Sequence, residues 1–149
     1  MISNAAKYAI RAVLYLAKYS DTQNKIGSKT IAKDIQAPPP FLAKLLRDLA
    51  SKEIISSSKG PTGGFYLTDN DKHKNILNII INIDGTTKFD SCFLGLSRCD
   101  DQNPCPVHYI VSPFKEQILA DFKEKTINEL ANDIEANKTL ISLKGLDIN

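Results

Sequence analysis

"PFLAKLLRDLASKEIISSSKGPTGGFYLT" occupies residues 40–68 and changes its period halfway along. In its first half Phe41, Leu42, Leu45, Leu46 and Leu49 recur at helical spacing, with Lys44, Arg47 and Lys52 turned away, so the spacing predicts an amphipathic helix. From Glu53 onward, β-branched and polar residues lead into Gly60-Pro61-Thr62-Gly63-Gly64 and then Phe65, Tyr66 and Leu67, which reads as strand, turn, strand. A glycine-rich turn can also cradle a phosphate. No Gly-Lys-Ser/Thr closes this one and no helix follows it, which excludes a nucleotide-binding loop. A hairpin directly after such a helix is the wing of a winged helix. Lys59 then stands at its tip, within reach of phosphate or a narrow minor groove, and Gly60, Thr62, Gly63 and Gly64 bring the wing backbone close.

Toward the N-terminus, "SKTIAKDIQ" forms a short helix with Ser28 as its N-cap and Ile31, Ala32 and Ile35 facing inward. "APPP" (Ala37–Pro40) ends that helix and launches the next, because proline suits a first turn and the residues just before it. Two short helices joined by a tight turn match a helix-turn-helix unit, whose second helix faces the DNA major groove. Taken alone they read more readily as an ordinary helical hairpin; the wing decides. Pro40, Phe41 and Lys44 would then lie near the major groove, with Lys29 and Thr30 touching phosphate. Further upstream, Ala6, Ala9, Ile10, Val13, Leu14 and Ala17 give Asn4–Tyr19 the spacing of a first helix. Lys7 and Tyr8 on that helix add contacts to the DNA backbone.

The 149 residues, 42% of them hydrophobic, suffice for about one domain with its own core. The longest apolar stretch, around Ile76 to Ile83, is interrupted by Asn78 and Asn82 and falls far short of the ~20 residues a bilayer demands, so no membrane association is expected. Lys7 and Arg11 sit inside a periodic helix rather than ahead of a cleavage site, which argues against a secretory signal. Three cysteines cannot pair off completely, and the chain is read as cytoplasmic with its thiols available for chemistry or metal. The net charge of +2 conceals an asymmetry: residues 1–75 carry 12 Lys/Arg against 6 Asp/Glu, and residues 76–149 carry 7 against 11. A basic front half points to a polyanionic partner, double-stranded DNA on this reading.

Beyond the wing, Asp69 or Asn70 caps a fourth helix through "KHKNILNIIINID" to Gly85, with His73 a solvated surface residue in its first turn. Later, "SPFKEQILADFKEK" sets Phe114, Ile118, Leu119 and Phe122 at helical spacing after Ile110 and Val111. Thr126 and Glu129 form a capping box that opens "INELANDI". From Thr139 onward there is little pattern, and a loose tail is expected.

Between these helices, "CFLGLSRCDDQNPCPVH" (Cys92–His108) gathers every cysteine and one of the two histidines. The spacing is C-x6-C-x5-C-x2-H, and Gly95, Asp100, Asn103, Pro104 and Pro106 favour a folded loop. Three thiolates from Cys92, Cys99 and Cys105 with the His108 imidazole suit zinc in a Cys₃His site or an iron–sulfur cluster. Structural zinc sites usually include a closer cysteine pair, which leans the reading toward a cluster. Buried free cysteines and a metal-free thiol switch are the competing readings.

"KYAIRAVLYLA" at Lys7–Ala17, "IAKDI" at Ile31–Ile35 and "FLAKLLRDLASKEIISSSKGPTGGFYL" at Phe41–Leu67 together resemble the Rrf-two family of bacterial winged-helix regulators, over roughly Ile2 to Glu135. The resemblance implies a fold that is mainly α with a small β-hairpin wing: a winged helix-turn-helix plus a long C-terminal dimerisation helix, here about Val107 to Lys125. It implies a homodimer on a palindromic operator, a repressor type of regulator rather than an enzyme, with an iron–sulfur cluster, [2Fe–2S] favoured, on Cys92, Cys99 and Cys105. In the IscR-type branch a histidine three residues after the last cysteine completes the site, and His108 holds that place; zinc stays the alternative. The first cysteine interval is one residue longer than is usual in that branch. Lys7 replaces the acidic ligand of a nitric-oxide-sensing branch, and Ala43 replaces a glutamate that helps discriminate operators. The expected organisation is 1–84 for DNA binding, 85–109 for the cofactor loop and 110–149 for the dimerisation helix and tail. Two other functions are weighed: a metal-free or zinc-bound protein–protein module, and a Cys/His thiol enzyme, which lacks an evident orienting residue or oxyanion motif.

Overall fold

Ser3 opens the first helix by accepting the Ala6 amide on its side chain, and α1 runs over the predicted span, Asn4–Tyr19. The structure is a computed structural model in which residues 2–142 and 144 are described. Ala6, Ala9, Ala12, Val13, Tyr15, Leu16 and Ala17 are all buried, more than one face of a helix can supply. The reason is central placement, since α2 (Ser28–Ile35), α3 (Pro39–Ser51) and two later helices all pack around α1. Tyr15 donates its hydroxyl to Asp34 at 2.6 Å; burial first, and that carboxylate second, push its phenol above the ordinary range.

The helix-turn-helix is built as expected, with two local corrections. Gly27, not Ser28, is the N-cap of α2. Ile26 exchanges both backbone hydrogen bonds with Phe65, which keeps the chain extended through Gly27 and delays the helix by one residue. In α3, Leu42, Leu45, Leu46 and Leu49 face the core while Phe41 does not: it is 41% exposed and meets the Tyr8 ring edge-on at 5.8 Å.

The wing pairs β1 (Ser56–Ser58) with β2 (Gly64–Tyr66) antiparallel, Ser57 opposite Phe65. A Cβ on Gly64 would stand 2.8 Å from the Ile26 carbonyl, and one on Gly63 would stand 2.3 Å from the Ser58 oxygen. These two glycines are therefore demanded by the closure of the hairpin on itself and on Ile26. The expected role of the same glycines, letting the wing backbone come close to DNA, is a separate one.

The predicted fourth helix is two. Thr68, rather than Asp69 or Asn70, caps α4 (Asp69–Lys72), and Asn75 caps α5 (Ile76–Asp84), each in a reciprocal capping box. His73 lies at the break, exposed as expected. Asn75 also reaches the Lys123 carbonyl, and Lys74 accepts the Ile127 amide, so later helices hold the break open. Ile76, Ile79 and Ile80 of α5 complete the core, and Gly85 ends the helix with φ 77°.

Asp71 of α4 is buried beneath the wing, where it accepts Ser56 Oγ, the Thr68 amide and Lys74 Nζ. Burial pushes its carboxyl up, and these three partners outweigh it, Lys74 most, holding the group below the usual carboxylate value. A depressed native value adds stability above the unfolded-state pKa, and that stability is lost as pH falls through the native one. Asp71→Asn is therefore expected to lower the urea midpoint at neutral pH, with the gap to wild type closing below about pH 4. A gap independent of pH removes the assignment.

Helices α6 (His108–Glu124) and α7 (Ile127–Ala136) finish the fold, with the Thr126–Glu129 capping box in place. The tail is not loose where it is described: Ile141 packs against the core, while 143 and 145–149 lie outside the described residues. Among the described residues no helix is long and apolar enough to cross a membrane. The molecule is mainly helical with one two-stranded hairpin, the predicted fold class.

Candidate functional site

Two groups of side chains stand apart from the core. The first is polar and basic. Lys7 projects from α1 beside the half-buried Tyr8; Lys29 and Thr30 are exposed in the first turn of α2. Pro40, Phe41 and Lys44 are exposed on α3, and Lys59, Gly60 and Thr62 on the hairpin tip, while Gly63 and Gly64 are half-buried. The Tyr8–Phe41 contact joins α1 to the start of α3. Lys25 lies 5.2 Å from the Tyr66 ring centroid, a second tie between the wing and the α1–α2 connection.

The second group is the cysteine loop. Buried Phe89 anchors it, and the Cys99 amide reaches back 2.6 Å to the Asp90 carbonyl. All three cysteines are free: Cys92 is buried, Cys99 and Cys105 half-buried. Burial pushes the Cys92 thiol up, but the Leu96 and Leu94 amides, the Cys105 thiol and the Lys115 charge prevail and hold it below the ordinary value. Asp100 caps the middle turn, accepting from the Gln102 amide, Asn103 and Arg98, which hold its carboxyl at about 2.

His108 is the first residue of α6 and only 3% exposed. Its Nδ1 lies 3.4 Å from Cys99 Sγ and its Nε2 2.8 Å from Asp101 Oδ1. A carboxylate can only accept, so Nε2 donates to Asp101, and in the neutral ring that leaves Nδ1 with its lone pair toward the thiol. Of the four donors, Cys99 and His108 are in direct contact, and the Cys105 thiol is near enough to Cys92 to help lower its pKa. Among the described residues no three His, Cys, Asp or Glu side chains converge as they stand on a point that could hold a metal. Asp101 is a member of the group that sequence reasoning missed. Six residues of irregular loop separate it from His108, so no periodicity signals the contact.

Lys115 of α6, although buried, donates to the Ser91 carbonyl. Between loop and helix lies a cavity of about 580 Å³, lined by Cys92, Phe93, Ile110 and Phe114 among others. Around it Phe93, Tyr109, Ile110 and Phe114 are each more than half exposed.

A helix-turn-helix braced by a hairpin, with exposed lysines on helix and wing, defines a winged-helix DNA-binding transcriptional regulator. The family model for Rrf2, the iron-dependent transcriptional regulators, matches residues 2–133, and the chain belongs to that family. An HTH-type transcriptional regulator of Aquifex aeolicus is 36% identical over 134 residues, 89% of this chain and 92% of that one. Among solved structures, CymR, the global cysteine regulator of B. subtilis, superposes with a TM-score of 0.69 at 19% identity, covering 89% of this chain and 96% of its own. IscR of T. potens gives 0.68 at 20%, covering 94% and 92%. At such identities the structural likeness speaks for the fold alone. The relatives are regulators.

Proposed function

We propose that this chain is a homodimeric repressor of a palindromic operator, whose grip on DNA is set by an iron–sulfur cluster or the thiol redox state at Cys92, Cys99 and Cys105. The observation that carries the coupling is mechanical. The cysteine loop is fastened to α6 at two points, His108 against Cys99 and Lys115 against Ser91, on the helix that bears the exposed Ile110 and Phe114. A change in the loop therefore moves the helix on which a second subunit would sit. Two half-sites tolerate little error in the spacing of two recognition helices.

The donor set fits the cofactor: three soft thiols and one imidazole on a single loop, with Cys99 and His108 already in contact. Cys92, Cys99 and Cys105 would hold a [2Fe–2S] cluster with His108 Nδ1 as fourth ligand, and zinc is the alternative occupant. Bound, such a cluster supplies one-electron chemistry and sensitivity to oxidants. The chain's own part is to bring the four donors together, and Asp101 keeps His108 in the tautomer that leaves Nδ1 free to ligate. Anaerobic purification with a visible spectrum and iron, sulfide and zinc assays tests this. Charge-transfer bands with iron and labile sulfide support the cluster; stoichiometric zinc without iron makes the loop structural; a metal-free protein leaves only the thiol switch.

On DNA, Pro40, Phe41 and Lys44 would face the major groove, while Lys7, Tyr8, Lys29, Thr30 and the wing tip from Lys59 to Gly64 would follow the backbone. Doubled across a dimer, those contacts predict an affinity that falls on the order of 10³-fold between about 50 and 200 mM salt. Lys29→Ala should lower the slope of log K against log salt by about 2, one for each subunit. A mobility shift insensitive to salt removes the phosphate contacts.

A further inference from the structure

The turn that joins α2 to α3 is gripped from outside, residue by residue. Asp34 accepts Lys144 Nζ at 2.6 Å, the Ile35 carbonyl accepts the Arg11 guanidinium, and the Gln36 side-chain oxygen accepts Ser142 Oγ at 3.0 Å. Gln36 itself is a non-glycine residue in the left-handed region, with φ 55°. That conformation persists only where its surroundings hold it. Arg11 is held in turn, since its Nε donates to the Ile141 carbonyl at 2.7 Å. Its guanidinium lies 5.5 Å from the ring centroid of Tyr8, and that ring meets Phe41 in the first turn of α3. Besides Arg11 and Tyr15, whose hydroxyl Asp34 also accepts, the outer partners in this set come from the C-terminal segment: Ser142 and Lys144 on the turn and Ile141 on Arg11. That segment lies beyond residue 133, where the match to the family model ends.

We propose that the C-terminal segment, residues 139–142 with Lys144, is a brace that sets the helix-turn-helix for operator recognition, with Arg11 as its positioning residue. The planar fork of Arg11 spans two carbonyls, one on the turn and one on the brace, a task beyond the single ammonium of lysine. Among the described residues the brace's hydrogen bonds end on Asp34, Gln36 and Arg11, so it acts on the angle at which α3 leaves the turn. Its consequence is specific. Non-specific binding depends on the count of phosphate contacts, whereas base readout depends on where α3 sits in the groove.

Full-chain Ser142→Ala/Lys144→Ala tests the brace through exposed or half-exposed side chains. The conservative pair Ser142→Thr/Lys144→Arg keeps a hydroxyl and a cation and serves as rescue. The first readout is amide hydrogen exchange. The Ala37 amide, bonded to the Ala32 carbonyl at 2.9 Å, should exchange about tenfold faster in the alanine pair, with the α5 amides unchanged. The second uses a duplex selected by the wild-type protein from a random pool, against an unselected random duplex. Affinity for the selected duplex should fall about tenfold in the alanine pair, while the random duplex binds as before and the conservative pair behaves as wild type. Arg11→Lys should reproduce the alanine pair. Unchanged exchange at Ala37 overturns the brace. An equal loss on both duplexes, or no loss on either, overturns its role in recognition.

Discussion

Replacing Cys92, Cys99 or Cys105 by alanine, one at a time, is expected to yield a folded protein that retains essentially no iron or labile sulfide after anaerobic purification. Thiolate is the only soft anionic ligand the chain can offer, and with two thiols left no third can substitute. The fold should survive because the largest fully buried side chains come from the helices, Ile55 and Leu67, and none from the cysteine loop. Only Cys92 is buried, and its truncation should cost about 1–2 kcal/mol, read as a small shift in the urea midpoint. The fourth donor should behave differently. His108→Ala removes one neutral ligand of four and should leave a fraction of the iron, and Asp101→Ala, which frees the ring tautomer, should weaken retention by about 10–100-fold. That grading separates the cluster from a structural alternative. If all three cysteine variants keep wild-type metal, or the wild type binds none, the cofactor reading fails while the DNA-binding class stands.

What was legible in the sequence is what short-range chemistry decides. The bounds of α1, the α3 stripe, the hairpin and the Thr126 capping box each follow from residues within a few positions of one another. Thr68 and Asp71 form a local capping box; the other misses have a longer-range cause. Nothing near Asn75 announces that Lys123 and Ile127 will hold open a break in the fourth helix. Phe41 fits the apolar stripe by spacing, and only the arrival of Tyr8 gives its ring a partner outside the core. Gly63 and Gly64 signal a turn plainly, but their need for a missing side chain comes from Ser58 and from Ile26, far earlier in the chain. In the candidate site the ligand types were readable from composition and their pairing was not. The contact of Asp101 with His108 depends on how an irregular loop closes.

Ile110→Glu is expected to turn a dimer into a monomer and to reduce binding to a palindromic duplex by about 10²–10⁴-fold. Ile110 and Phe114 stand one helical turn apart on α6, 76% and 56% exposed, with Phe93 at 71% beside them. Contiguous apolar surface of this kind, flanked by the cysteine loop, is uncommon on a monomer and suits a second copy of the same helix. A carboxylate buried there without a partner is strongly destabilising, so association should fail. Monomers would still engage a single half-site through α3 and the wing. What they lose is the second binding event, which in a dimer is intramolecular and multiplies the affinity without any new contact. Sedimentation and mobility shifts on a palindrome and on an isolated half-site separate the two effects: half-site affinity should be unchanged, and only the palindrome's advantage should vanish. A variant that still sediments as a dimer with intact palindrome binding would place the subunit interface elsewhere. The cysteine loop would then have no mechanical route to DNA through α6, because its two fastenings, His108 and Lys115, both end on that helix.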